Sequence, residues 1–173
     1  MISKQVYEVP VIKIVWCYTM WQSWFPNEKN FKFVSGLPSS EENCDLIVLD
    51  YMMNNVTNEI SQMFTAGSHH KKYSIIIITQ NLFPRVKSMR DISLNTHYII
   101  LFRNNRGMSQ ASCFARQAFQ GQKKYFIDAY KKATEEPFNY LLVDVHPRTP
   151  EEQRLRMSLF PDHGVINWVF VPE

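Results

Sequence analysis

Glycine is scarce in this chain of 173 residues, and lysine never follows it. The five glycines are Gly36, Gly67, Gly107, Gly121 and Gly164, so the pattern G-x-x-x-x-G-K-[ST] is absent. A phosphate-binding loop of that kind uses backbone N–H groups to surround the phosphates and its lysine to neutralise them. The sequence therefore lacks this nucleotide-binding motif.

Cysteine and long apolar runs are scarce as well. The three cysteines, Cys17, Cys44 and Cys113, are widely spaced, which fits neither a disulfide framework nor a zinc site. The longest aliphatic run covers residues 75–78, whereas a membrane helix needs about 18 apolar residues. The N-terminal residues include no apolar segment typical of a signal peptide. We therefore expect an intracellular protein that is not secreted and has no membrane partner.

Length and composition favour one domain over residues 1–173, with 45% hydrophobic and 20% charged residues. The net charge of +3 is unevenly distributed. Residues 1–70 contain four Lys or Arg against seven Asp or Glu, and residues 71–173 contain 15 against nine. A basic C-terminal half is compatible with a polyanionic partner, but solvated surfaces give the same pattern.

Strand and helix patterns alternate along the chain. Helical spacing is found over residues 54–66, 89–94, 109–119 and 123–135, and strand-like runs over 11–18, 31–36, 44–50, 73–81, 97–103 and 139–145, with another at the C-terminus. The central strands are continuously apolar, which is typical of parallel strands buried on both faces. The sequence therefore predicts an α/β fold with a mainly parallel sheet sandwiched by helices.

Polar side chains follow three of the predicted buried strands. Asp50 ends the first, Gln80 lies directly after the second, and Arg103 ends the third with Arg106 nearby. Ligands of such sheets bind beyond the carboxyl ends of the strands. A carboxylate for a metal, an amide that orients water and guanidinium groups for phosphate charge are the groups that phosphoryl transfer needs.

Several segments give the chain a specific resemblance. In order, these are IVWCYTMWQ, LIVLDYMM, MFTAGSHHKKYSIIIITQNLFP, RDISLNTHYIILFRNNR, ARQAF and PFNYLLVD. Over about residues 10–160 they resemble the P-loop ATPase of poxvirus-type and Polinton-like DNA packaging systems, which belongs to the FtsK/HerA superfamily of ring-forming DNA translocases.

The resemblance implies ATP hydrolysis with Mg²⁺, coupled to translocation of double-stranded DNA by a homo-oligomeric ring. It places Asp50 at the Walker B position, where it would hold the metal, and Gln80 at the polar sensor. Arg103 and Arg106 are candidates for arginine fingers between subunits. It also implies an intracellular location in the nucleus, the cytoplasm or a virus factory.

The chain departs from the family in two respects. Tyr51 occupies the position of the second acidic residue, and a phenol with a pKa of ~10 cannot act as a base near neutral pH. Glu59 lies about two helical turns further on. The P-loop strand and loop are missing, so we expect an N-terminally truncated domain that binds no ATP or Mg²⁺ and is inactive alone. The alternative is a nucleotide-independent interaction module on this scaffold, binding partner subunits or DNA.

The missing strand has a structural consequence. In the superfamily the strand leading into the P-loop lies between the strands matching residues 73–79 and 97–102. We therefore expect these two runs either to pair directly in parallel or to leave a gap with open edges. An ordered strand from residues 1–10 between them would contradict both outcomes.

Other groups leave alternatives open. Arg85, Lys87 and Arg90 are expected in one loop, where they contact DNA phosphates or are simply solvated. Adjacent His69 and His70 belong either to a metal site or to a turn. The aromatic cluster stacks nucleobases or packs as core; it comprises Trp16, Tyr18, Trp21, Trp24 and Phe25.

Overall fold

The computed structural model describes residues 10–26, 28–39, 42–50, 58–67, 73–82, 87–159 and 168–172. The chain divides into two compact units, Met1–Asn95 and Thr96–Glu173. Each unit has its own four-stranded sheet. The expectation of a single domain over residues 1–173 stays a prediction.

The first unit is built on a parallel sheet. Its strands are β1 (Ile14–Tyr18), β2 (Phe31–Ser35), β3 (Leu46–Asp50) and β4 (Ser74–Ile78), in the order β2-β1-β3-β4. All three neighbouring pairs are parallel. The predicted α/β class with a parallel sheet is thereby confirmed, and the strands lie within the predicted apolar runs.

Two helices accompany this sheet. Helix α1 (Asn58–Gln62) continues as a π-helical turn over Met63–Gly67, and α2 spans Lys87–Leu94. Their apolar side chains share one core with one face of the sheet, formed by Val15, Cys17, Ile47, Leu49, Ile60, Phe64, Met89 and Ile92. The predicted helix over 54–66 is described only from residue 58 onward.

The second unit is built on an antiparallel sheet. Its elements are β5 (Tyr98–Phe102), α3 (Met108–Ala118), α4 (Lys123–Ala133), β6 (Tyr140–Asp144), a 3₁₀ turn (Glu151–Gln153), β7 (Leu155–Arg156) and β8 (Val169–Phe170). The strand order is β5-β6-β7-β8, and every pair is antiparallel. The buried centre combines β6 with the helices and includes Phe126, Ala133, Leu141, Leu142 and Val143.

The expected parallel pairing of residues 73–79 with 97–102 is wrong. β4 pairs with β3, and β5 pairs with β6 in a separate, antiparallel sheet. Two helices, α3 and α4, connect β5 to β6. The chain therefore returns in the reverse direction, whereas one crossover helix would have given a parallel strand. Among the described residues, β4 and β5 are edge strands. The other alternative was an ordered strand from residues 1–10 between them, and residues 1–9 lie outside the described part.

Burial of a thiol generates a pH prediction in the first unit. Burial raises the pKa of Cys17 to about 12 from an ordinary value of 9.0, with Cys44 and Glu42 adding to the rise. Unfolded Cys17 therefore loses its proton at a lower pH than folded Cys17. Its contribution to stability is complete below pH 9.0 and is lost progressively as the pH rises toward about 12.

We expect Cys17→Ala to flatten the alkaline decline in stability. The measurement is the urea midpoint of both proteins at several values between about pH 8 and about pH 10, where the unfolded thiol ionises. The wild-type midpoint should fall more steeply than the variant midpoint. Parallel pH profiles for the two proteins would contradict the prediction.

Candidate functional site

The carboxyl edge of the parallel sheet contains the candidate site. Asp50 is the last residue of β3, in register with Tyr18 of β1 and Ile78 of β4. Gln80 follows Ile78 by two residues and is exposed. The fold therefore places Asp50 and Gln80 at the same edge, on neighbouring strands.

The Asp50 carboxylate makes a contact within its own sheet. Its Oδ2 accepts a hydrogen bond from the indole Nε1–H of Trp16 at 3.3 Å, and the pair is partly buried. Trp16 lies two residues before Tyr18, the register partner of Asp50, so both side chains leave the same face of the sheet. Asp50 therefore orients an indole in this structure.

That indole belongs to an aromatic cluster centred on buried Phe25. The Phe25 ring lies 5.0 Å from Trp24, 5.1 Å from Trp21, 5.6 Å from Tyr18 and 5.8 Å from Trp16. Most of these contacts are edge-to-face or tilted, which is the favourable geometry for aromatic packing. Phe25 is thus the buried centre of the cluster. Trp21 and Trp24 remain 58% and 62% exposed, so nucleobase stacking by them stays a prediction.

The donor set at this edge does not by itself fit Mg²⁺. Magnesium demands octahedral oxygen coordination, from carboxylates, waters and phosphates. Here the described chain offers the Asp50 carboxylate, one oxygen of which accepts the Trp16 indole. Among the described residues, no group of three or more His, Cys, Asp and Glu side chains is arranged to share a metal.

The polar residues after β4 form a tight turn. The Thr79 hydroxyl donates to the Asn81 backbone oxygen and accepts the Asn81 backbone N–H at 3.1 Å. These bonds fix the backbone on both sides of Gln80. Gln80 therefore lies in a defined turn, after the strand that neighbours β3.

Arg103 and Arg106 lie together in the second unit, in the loop between β5 and α3. The Arg103 guanidinium donates to the Glu135 backbone oxygen at 3.1 Å and to Asn105 Oδ1 at 3.2 Å. Asn104 Oδ1 accepts the backbone N–H of Arg106 at 3.1 Å. Arg103 is therefore directed toward its own chain, while Arg106 is exposed.

The expectation that Arg85, Lys87 and Arg90 share one loop is wrong for two of the three residues. Lys87 and Arg90 lie in α2, one turn apart, and Arg90 is exposed. The helix begins two residues earlier than predicted, and its side with Ser88, Met89 and Ile92 is buried. Arg85, Tyr51, His69 and His70 lie outside the described residues. Glu59 is an exposed residue of α1.

Sequence reasoning missed a second carboxylate that organises this sheet. Asp45 Oδ2, just before β3, accepts the backbone N–H groups of Ile12 and Lys13 at 2.9 and 2.8 Å. These hydrogen bonds are the main reason why the pKa of Asp45 is lowered. The available signal was an acidic residue directly before an apolar strand, but its partners are more than 30 residues away.

Comparison of the chain with protein-family models, curated proteins and solved structures gives no match. None of the helices in the described ranges has the length and apolarity needed to cross a membrane.

The Trp16–Asp50 contact predicts a structural effect of Asp50 substitutions. Asp50→Ala should lower the free energy of unfolding by about 1 kcal/mol, because the indole N–H loses its acceptor. Asp50→Asn should lower it less, since the amide oxygen still accepts. Urea denaturation followed by tryptophan fluorescence measures both variants.

Trp16→Phe supplies the matched control, because phenylalanine removes the donor and keeps an aromatic ring. If the contact stabilises the fold, the losses from Asp50→Ala and Trp16→Phe should not add in the double variant. Strictly additive losses would show that the two side chains act independently.

Proposed function

We propose that this chain corresponds to the part of a DNA-packaging ATPase that follows the P-loop, in a translocating motor of the FtsK/HerA superfamily. By itself it neither hydrolyses ATP nor binds it tightly. The observation that supports the proposal is the parallel order of β1, β3 and β4, with Asp50 and Gln80 at one carboxyl edge. The resemblance assigns the Walker B and sensor positions to these residues.

The edge of β4 adds support. The resemblance places the strand leading into the P-loop beside the run that forms β4. Among the described residues, β4 has a hydrogen-bonded neighbour on one side only. β5, the run expected on the other side of the missing strand, belongs to a separate antiparallel sheet and gives no such support.

The chemistry of the chain argues against activity on its own. Tight binding of triphosphate depends on converging N–H groups and a lysine, and the sequence has no Gly-Lys pair. The carboxylate that would assist the metal accepts an indole N–H instead. Both features lower the affinity expected for Mg-ATP.

A second candidate function is a nucleotide-independent interaction module that binds partner subunits or DNA. The Trp16–Asp50 hydrogen bond favours it, because it gives Asp50 a structural role that needs no nucleotide. Neither candidate requires this chain to bind ATP by itself.

We expect no heat of Mg-ATP binding in calorimetry of the wild-type chain at micromolar concentrations. The physical reason is that no motif of the chain neutralises the triphosphate. Asp50→Ala is the control, and it should behave as the wild type does. Micromolar binding that disappears in Asp50→Ala would contradict the proposed lack of activity.

We expect any binding of double-stranded DNA to be independent of sequence and carried by basic residues after position 70. Contacts with phosphates release counterions, so affinity should fall steeply between about 50 and about 200 mM salt. Fluorescence anisotropy with two duplexes of equal length and different sequence measures both properties. Arg90→Glu, in the exposed part of α2, should weaken binding to both duplexes equally. Affinity that ignores salt or differs between the duplexes would overturn this expectation.

A further inference from the structure

Among the described residues, the outer strand of the antiparallel sheet has no hydrogen-bonded neighbour on its outer side. β5 consists of Tyr98, Ile99, Ile100, Leu101 and Phe102, without charge, proline or glycine. Tyr98 and Phe102 are 52% and 59% exposed, whereas the neighbouring β6 is fully buried at its centre. Natural edge strands are normally blunted by charge, proline or bulges, because open edges pair with other strands.

The backbone of β5 presents defined groups to this edge. The Val145 N–H donates to the His97 oxygen at 2.9 Å, which extends the β5–β6 register by one pair. In an antiparallel pair, hydrogen-bonded residues alternate with residues whose backbone groups point the other way. Ile99 and Leu101 therefore bond to β6, and Tyr98, Ile100 and Phe102 direct their N–H and C=O groups outward.

The sequence of β5 is nearly symmetric about Ile100. Two such strands can lie antiparallel around a two-fold axis at this residue. Ile100 of one chain then faces Ile100 of the other chain, and Tyr98 of each chain faces Phe102 of the other. Each of these pairs joins residues whose backbone groups point outward, so each exchanges two hydrogen bonds. The Tyr130 hydroxyl already donates to the Phe102 oxygen at 2.9 Å, but a carbonyl oxygen has two lone pairs.

We propose that β5 pairs with β5 of a second copy of this chain, antiparallel and centred on Ile100. The pairing joins two antiparallel sheets into one and is isologous, as in most homodimers. Aromatic residues meet across the strands at both ends, which is a favourable cross-strand contact. Charge within the strand does not oppose it, because all five residues of β5 are neutral.

Sedimentation equilibrium over a range of protein concentrations tests the pairing. The wild type should be a dimer that dissociates on dilution. Ile100→Pro removes an N–H that faces the partner and none that faces β6, so the sheet keeps its own hydrogen bonds. We expect the dissociation constant to rise at least about tenfold, because both copies lose a donor at the axis.

Tyr98→Lys provides a second variant in case Ile100→Pro fails to fold, since it adds a charge at an exposed edge position. It should also weaken the dimer. Val169→Lys is the matched control: it adds the same charge on β8, at the opposite edge of the sheet, and should leave the dissociation constant unchanged. A monomer at every concentration, or a dimer that tolerates both β5 variants, would overturn the proposal. A monomer is also the result expected if a strand of a different chain were the true partner of this edge.

Cross-linking tests the orientation, in a Cys113→Ser background. Facing Ile100 residues would have Cα atoms about 5.5 Å apart, within disulfide range, so Ile100→Cys should form covalent dimers with a mild thiol oxidant. The two copies of residue 98 would be about 13 Å apart, so Tyr98→Cys should not. Cross-linking of both the Ile100→Cys and the Tyr98→Cys variants would indicate parallel pairing and overturn the proposed antiparallel arrangement. These experiments need no nucleotide or DNA, so their outcome is separate from that of the proposed function.

Discussion

Burial of β3 on both faces is the constraint on which the first unit depends. Leu46, Ile47, Val48 and Leu49 are at most 2% exposed, and alternate residues enter different cores. Each fully buried aliphatic side chain contributes about 1.5–3 kcal/mol relative to an exposed one. A shift of one residue would therefore move each of these side chains into the opposite core. Asp50 is the first polar residue after this run, and its place at the carboxyl edge follows from the burial before it.

Sequence patterns within single segments predicted those elements whose structure depends on residues close together in the sequence. Continuous apolar runs identified β3 and β4 and their parallel arrangement, because parallel strands covered on both faces lack polar alternation. The direction of β6 depends on the two helices that connect it to β5, which no pattern within either strand encodes. The site shows the same limit. The position of Asp50 was predictable, but its bond to Trp16 joins residues 34 positions apart. Phe138 has a positive φ of 65°, where Gly or Asn is the usual residue, so its residue type does not predict that conformation.

The charge asymmetry of the sequence does not coincide with the structural units. Residues 1–95 contain nine Lys or Arg against eight Asp or Glu, and residues 96–173 contain ten against eight. The acidic and basic halves seen in the sequence thus arise from a division at residue 70, inside the first unit. An argument for a polyanionic partner must therefore depend on local surfaces, such as the exposed side of α2 with Arg90, and not on the net charge of a unit.

The two apolar edges differ in whether they suit a second copy. β4 has the sequence SIIII, and an antiparallel pairing with itself would place Ser74 opposite Ile78 at both ends. It would also add an antiparallel pair to a parallel sheet. β5 meets itself with aromatic residues at both ends and backbone groups of Ile100 directed at the axis, and it extends a sheet that is already antiparallel. Self-pairing is therefore favoured at β5, whereas the β4 edge is better matched to a parallel strand of a different sequence.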